Sequence, residues 1–99
     1  MNTVTVRPQD NVLAITGDLT QDTVMSALEQ CTKLLTKKEL HIDFSQVKRC
    51  DSASVAFLTA LLREGKQKQI DLHFQHLPEQ MMQIARVSGL ESILPVTDL

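Results

Sequence analysis

Between Glu39 and Ser45 the chain alternates strictly, with Leu40, Ile42 and Phe44 on one side and His41 and Asp43 on the other. A period of two over that length predicts a β-strand with one buried face. Gln69 to Gln75 repeats the pattern, setting Ile70, Leu72 and Phe74 against Asp71 and His73. Two shorter β-prone runs come earlier, Thr3 to Val6 and Val12 to Ile15. Pro8, Asp10 and Asn11 lie between them, which predicts a hairpin. Gly17-Asp18 is expected to break its second strand.

Elsewhere the period lengthens to that of a helix. Val24, Leu28, Cys31 and Leu35 recur on one helical face. Thr20 or Asp18 is placed to cap its start, and Lys33, Lys37 and Lys38 suit the negative pole at its end. A second helix is predicted from Ser52 to Gln67. Leu58, Leu61 and Leu62 form its core face, Val55 and Phe57 widen it, and Arg63, Glu64, Lys66 and Lys68 stay in water. Pro78 opens a third helix, stapled by Leu77 with Met81 or Met82, and Gly89 ends it. The segment LESILPV, Leu90 to Val96, adds a short strand or half-turn.

The order ββαβαβα predicts an α/β fold in one domain, residues 1–99. Strands joined through single helices become parallel neighbours by right-handed crossovers, so the sheet is mixed and mostly parallel. A strand covered on both faces reads as continuously apolar. The clean alternation here places the helices mainly on one face.

Composition narrows the functions open to such a fold. Ninety-nine residues hold three Phe and no Trp or Tyr, so the core rests on aliphatic side chains. The formal charge of −2, with basic residues scattered, leaves no footprint for nucleic acid. No apolar run suits insertion into a bilayer and the first residues do not open a signal segment, so a cytosolic chain is expected. Cys31 and Cys50 form no CxxC pair and are expected as free thiols, Cys31 inside the core.

Catalytic motifs are missing. The GxSxG elbow is absent, and Gly17, Gly65 and Gly89 stand alone, so neither a phosphate-cradling loop nor a dinucleotide fingerprint exists. No enzymatic activity and no cofactor are expected. His73 and His76 are spaced so that they would face opposite ways on one strand, and no metal site is assigned. If the two alternating strands are neighbours, His41, Asp43, Asp71 and His73 form a polar ladder on the less covered sheet face.

The segment that invites a functional reading is Asp51-Ser52-Ala53-Ser54. Asp51 is a good N-cap for the second helix. Capping alone does not require that the next three residues all be small. Short side chains at a helix start let a partner approach the backbone, and the positive pole there favours an anion or a phosphorylated hydroxyl. Asp51, Ser52, Ala53 and Ser54 are therefore the candidate partner-binding surface, with Ser52 and Ser54 as candidate phosphosites.

IDFSQVKRCDSASVAFLTALLREGKQKQIDLHF, followed by SGLESILP, resembles the STAS domain, the fold of bacterial anti-sigma factor antagonists. The resemblance is strongest from Leu40 to Leu94. In those antagonists the kinase-targeted hydroxyl commonly lies two residues after the aspartate, where this chain has Ala53. Ser52, directly after Asp51, instead resembles the Asp-Thr-Gly-Gly entrance of the small STAS subunit of the Mla phospholipid-transport ABC system. The AITGDLTQDTV opening, Ala14 to Val24, is similar to that branch as well, whereas Ser54 replaces the family's usual glycine. The resemblance implies a non-catalytic accessory subunit, peripheral to the inner membrane on its cytosolic side. Its partner would be the ATPase subunit, in a complex with permease and substrate-binding subunits. The alternative is an anti-sigma factor antagonist in a partner-switching pathway, with Ser52 or Ser54 as a displaced phosphosite.

Overall fold

The computed structural model describes residues 3–97. Four strands form one sheet: β1 (Val4–Gln9), β2 (Val12–Leu19), β3 (Glu39–Cys50) and β4 (Asp71–Gln75). Their spatial order is the chain order, with β1 antiparallel to β2, and β2, β3 and β4 mutually parallel. The helices are α1 (Val24–Lys33), α2 (Ser52–Gln67) and α3 (Glu79–Val87), followed by a short 3-10 turn at Glu91–Ile93. Because β2-α1-β3 and β3-α2-β4 both step the same way across the sheet, right-handed crossovers put α1 and α2 on the same face. Leu13 and Ile15 of β2, Leu40, Ile42 and Phe44 of β3, and Leu72 and Phe74 of β4 point toward them and are buried. Phe44 meets Phe74 and Phe57 edge to face, at centroid distances of 5.6 and 6.5 Å, at the centre of the core. Among the described residues, no helix is long and apolar enough to cross a membrane.

The structure corrects several expected boundaries. Gly17-Asp18 does not end β2. The strand bulges there and continues to Leu19. Gly17 has φ +115°, and a Cβ at this position would stand 2.2 Å from the Thr3 carbonyl oxygen. Glycine thus permits a bulge and a close strand approach instead of a break. β3 runs five residues past Ser45, and the register shifts between β2 and β3 spoil the alternation that would have revealed it. α1 begins after Thr23, not after Thr20 or Asp18. The Thr23 hydroxyl donates to the Asp18 carbonyl at 2.7 Å and accepts from the Thr20 amide at 3.0 Å, so it ties the preceding turn without capping the helix. Lys37 and Lys38 lie beyond the end of α1. Leu62 and Glu64 are both half-buried, so Leu62 is at the margin of the core face and Glu64 is not fully wet.

Gly89 ends α3 as expected. It adopts φ +75°, and the amides of Gly89 and Leu90 return to the carbonyls of Arg86 and Ala85 at 3.1 and 2.9 Å. This paired closure satisfies the last carbonyls of the helix. Pro78 lies one position earlier than expected, at the N-cap of α3, while Met81 is fully buried and Leu77 packs beside the core.

Candidate functional site

At the end of β3 the backbone of Asp51 is extended, with φ −133° and ψ −168°, and the next residue starts α2. One carboxylate oxygen accepts from the Ala53 amide at 2.9 Å, the expected cap. The other accepts from the Gln21 amide at 3.1 Å. That second bond binds the β2–α1 turn to the α2 entrance, and the sequence gives no sign of a link spanning so much chain. The Asp51 backbone also participates. Its amide donates to Leu19 at 3.3 Å, and its carbonyl accepts from the Ser54 amide at 3.0 Å and the Ser54 hydroxyl at 2.7 Å.

The four candidate residues therefore divide. Ser54 is fully buried and its hydroxyl is committed to the Asp51 carbonyl. It fills the place of the family's glycine by turning its side chain inward. Cys50, immediately before the turn, is also buried. Burial pushes its thiol up, the Ser54 hydroxyl hydrogen bond lowers it, and the Asp51 charge adds to the rise. Ser52 is exposed and Ala53 half-exposed. Since Asp51 already engages the amides of Ala53 and Ser54, this helix start does not present them to an anion. It presents a small, accessible surface.

That surface continues into a groove absent from the sequence reading. Val24, Met25 and Leu28 of α1 face Ala53, Ala56 and Ala60 of α2 across a shallow apolar trough of about 200 Å³, with Phe57 below. Met25 is 75% exposed, unusual for a large apolar side chain. Two signals were legible in principle: the alanines recur on one face of α2, and Met25 stands beside the α1 stripe. A larger hollow of about 650 Å³ near Asp10, Asn11, Asp43 and Gln75 is open and polar.

The expected polar ladder forms on the helix-free sheet face, because β3 and β4 are neighbours. His41 stands opposite His73, and Asp43 opposite Gln75. Asp43 turns away from the histidines and accepts from the amide and hydroxyl of Ser45 at 3.0 and 3.1 Å. Glu39, not singled out in the sequence, joins the pair of rings. His76 lies beyond the end of β4 and is exposed.

Comparison with known proteins agrees with this architecture. A family model described as Mlab, STAS domain, matches residues 2–95. No curated protein sequence matches the chain. Among solved structures, the unphosphorylated form of the anti-sigma factor antagonist SpoIIAA superimposes with a TM-score of 0.74 at 14% identity, over 97% of this chain and 87% of that one. An anti-sigma factor antagonist from Mycobacterium paratuberculosis gives a TM-score of 0.72 at 22% identity, over 97% and 85% of the two chains. The phosphorylated form of Bacillus SpoIIAA gives 0.66 at 15% identity, over 97% and 90%. At these identities the structural likeness establishes the fold.

Proposed function

This chain belongs to the STAS family, matching its Mlab group, and we propose that it is a non-catalytic accessory subunit of a phospholipid-transporting ABC complex. In this reading it binds and stabilises the cytosolic ATPase subunit, in an assembly with permease and substrate-binding subunits. It is held at the inner membrane through that assembly and has no membrane insertion of its own. Phospholipid trafficking and outer-membrane lipid asymmetry are the processes it would serve. The observation that carries the docking role is the continuity of the exposed Ser52–Ala53 turn with the apolar α1–α2 groove. Small residues at the rim admit a partner's backbone, and the trough takes an apolar side chain whose burial contributes roughly 1.5–3 kcal/mol. Interfaces commonly concentrate their energy in one such desolvated pocket.

The test pairs binding with stability. Ser52→Arg adds bulk and a cation next to the positive pole of α2, a cost to the helix of about 0.3–1 kcal/mol. That is small against the roughly 5–15 kcal/mol of an ordinary domain. The variant is expected to fold with nearly unchanged Tm and to fail to co-purify with the ATPase. Retention of the ATPase by folded Ser52→Arg would move the docking surface elsewhere. The alternative reading, anti-sigma factor antagonism, draws on the exposed Ser52 hydroxyl as a phosphate acceptor. Ser54 would have to react from inside the core. The same co-purification distinguishes the readings, since the alternative predicts capture of a kinase and a sigma-factor regulator in place of an ATPase and a permease.

A further inference from the structure

At the start of β3 and β4, on the sheet face without helices, the parallel register sets Glu39 opposite Asp71 and His41 opposite His73. Two carboxylates in register oppose each other electrostatically, an arrangement that disfavours the strand pair. The two imidazoles stack, with ring centroids 4.8 Å apart and planes 18° from parallel. Their Nε2 atoms both turn to the same carboxylate, at 3.7 Å from Glu39 Oε1 for His41 and 3.8 Å from Glu39 Oε2 for His73. Asp71 Oδ2 lies 3.1 Å from His73 Nε2. One ligand atom from each of Glu39, His41 and His73 falls within 4.8 Å of the others. The docking role uses none of these groups, which stand at the opposite end of β3 from Asp51.

We propose that Glu39, His41 and His73 bind one divalent transition-metal ion of the zinc class, with Asp71 beside the remaining coordination position. Two imidazole nitrogens and one carboxylate oxygen are the donors such ions prefer, whereas calcium and magnesium take oxygen alone. Metal–ligand bonds of about 2.0–2.2 Å place tetrahedral ligand atoms roughly 3.3–3.6 Å apart. The two histidine nitrogens lie 3.7 and 3.8 Å from different oxygens of Glu39, and one donor atom from each residue falls within 4.8 Å of the others, so the set is wider than that spacing and must draw in on binding. Glu39 is 55% exposed and free to rotate its carboxylate inward, while the histidines, 22% and 26% exposed, are held by the sheet. A cation at this point also neutralises the Glu39–Asp71 pair. His41 Nδ1 is buried without a hydrogen-bond partner, so this ring lacks the outer acceptor that usually fixes a ligating imidazole. The affinity expected is correspondingly modest.

Titration of the full chain with zinc alone, followed by the imidazole carbon-bound proton resonances, tests the site. Only three histidines contribute, and His76 is the internal control. The expected result is saturation at one equivalent, with His41 and His73 shifting together and His76 unmoved. Glu39→Gln and His73→Asn should each weaken binding by about tenfold or more, while His76→Asn leaves it unchanged. Glu39 is exposed, so its variant remains informative even if His73→Asn disturbs the strand. Absence of saturation at millimolar zinc, movement of His76 in step with the other two, or wild-type affinity in Glu39→Gln would each overturn the assignment.

Discussion

Asp51 holds three segments with one side chain and one peptide unit. Its carboxylate caps α2 at Ala53 and fastens the β2–α1 turn at Gln21, while its carbonyl receives Ser54. A lost cap is worth about 1 kcal/mol, and the Gln21 bond adds about 0.5–1.5 kcal/mol. Asp51→Ala is therefore expected to lower stability by about 2 kcal/mol in urea denaturation, with Asp51→Asn losing less because its amide oxygen still accepts. Equal losses in the two variants would show that the negative charge, not the acceptor geometry, is what matters. The cap was legible because it is local. The Gln21 bond was not, since nothing in either segment announces that the fold will bring them together. Cys31 supplies a pH-dependent case. Burial pushes its thiol from 9.0 up to about 12. The unfolded thiol ionises near pH 9 while the folded one retains its proton. Stability is thus unaffected by this group below about pH 9, and falls as the pH rises toward about 12, by about 1.4 kcal/mol per pH unit. The chain contains no tyrosine, and Cys50, whose thiol burial also raises, adds a slope of the same sign, so the comparison with Cys31→Ala isolates the part due to Cys31. Denaturant melts from pH 8 to 10 should show it in the native chain, and Cys31→Ala should be flatter. Identical pH profiles would contradict the assigned burial.

Strands and helices were readable wherever one face alone decides burial. The Leu40-Ile42-Phe44 alternation locates β3 because its inward residues all meet the helices. Past Phe44 the pattern fails, since the register shifts against β2 leave Ser45 and Gln46 both exposed. Gly17 misleads for a related reason: its conformation answers to Thr3 across the hairpin, not to its own neighbours. α2 was located correctly, but its core face is rotated slightly from the expected Leu58-Leu61-Leu62 set. Ser54, Leu58, Leu61 and Gly65 form its deepest line, and Leu62 rides at the edge. A Cβ on Gly65 would lie 2.6 Å from Leu72 Cδ1, which shows how closely α2 sits on β4. This rotation separates two neighbouring leucines energetically. Leu58→Ala should cost about 2–5 kcal/mol, the loss of a buried side chain plus the cavity left behind. Leu62→Ala should cost less, about 1–2 kcal/mol, because Leu62 is only partly buried at the edge of the core. Urea melts of both variants check the order, and equal losses would place the core face where the sequence pattern alone suggested. The alanine line facing Met25 was overlooked because it packs against no strand. Its meaning depends on α1 lying alongside.

Across the whole molecule, the open sheet has two edges, and each is partly closed by a different device. On β1, the Gln30 side chain from α1 accepts from the Val6 amide at 3.0 Å and donates to the Val4 carbonyl at 3.1 Å, standing in for a fifth strand. Pro8 removes a further donor on the same strand. On β4, the chain after Leu94 returns alongside. The Phe74 amide donates to the Pro95 carbonyl, the Thr97 amide donates to the Phe74 carbonyl, both at 2.8 Å, and Val96 pairs with Phe74 in parallel. An uncovered edge is a template for another chain, and partial closure of both edges fits the proposal that association uses the helical side. A chain ending at Leu94 tests that division. It loses both hydrogen bonds to Phe74, each worth about 0.5–1.5 kcal/mol, along with the cover provided by Val96. Its stability should fall by about 1–3 kcal/mol, and sedimentation should reveal concentration-dependent self-association that the full chain lacks. Because Ser52 and the α1–α2 groove lie away from that edge, the proposed docking surface predicts that the shortened chain still co-purifies with the ATPase at temperatures where it remains folded. Loss of partner binding with the fold intact would mean that the β4 edge is part of the docking surface, and would extend that surface from the helices onto the sheet.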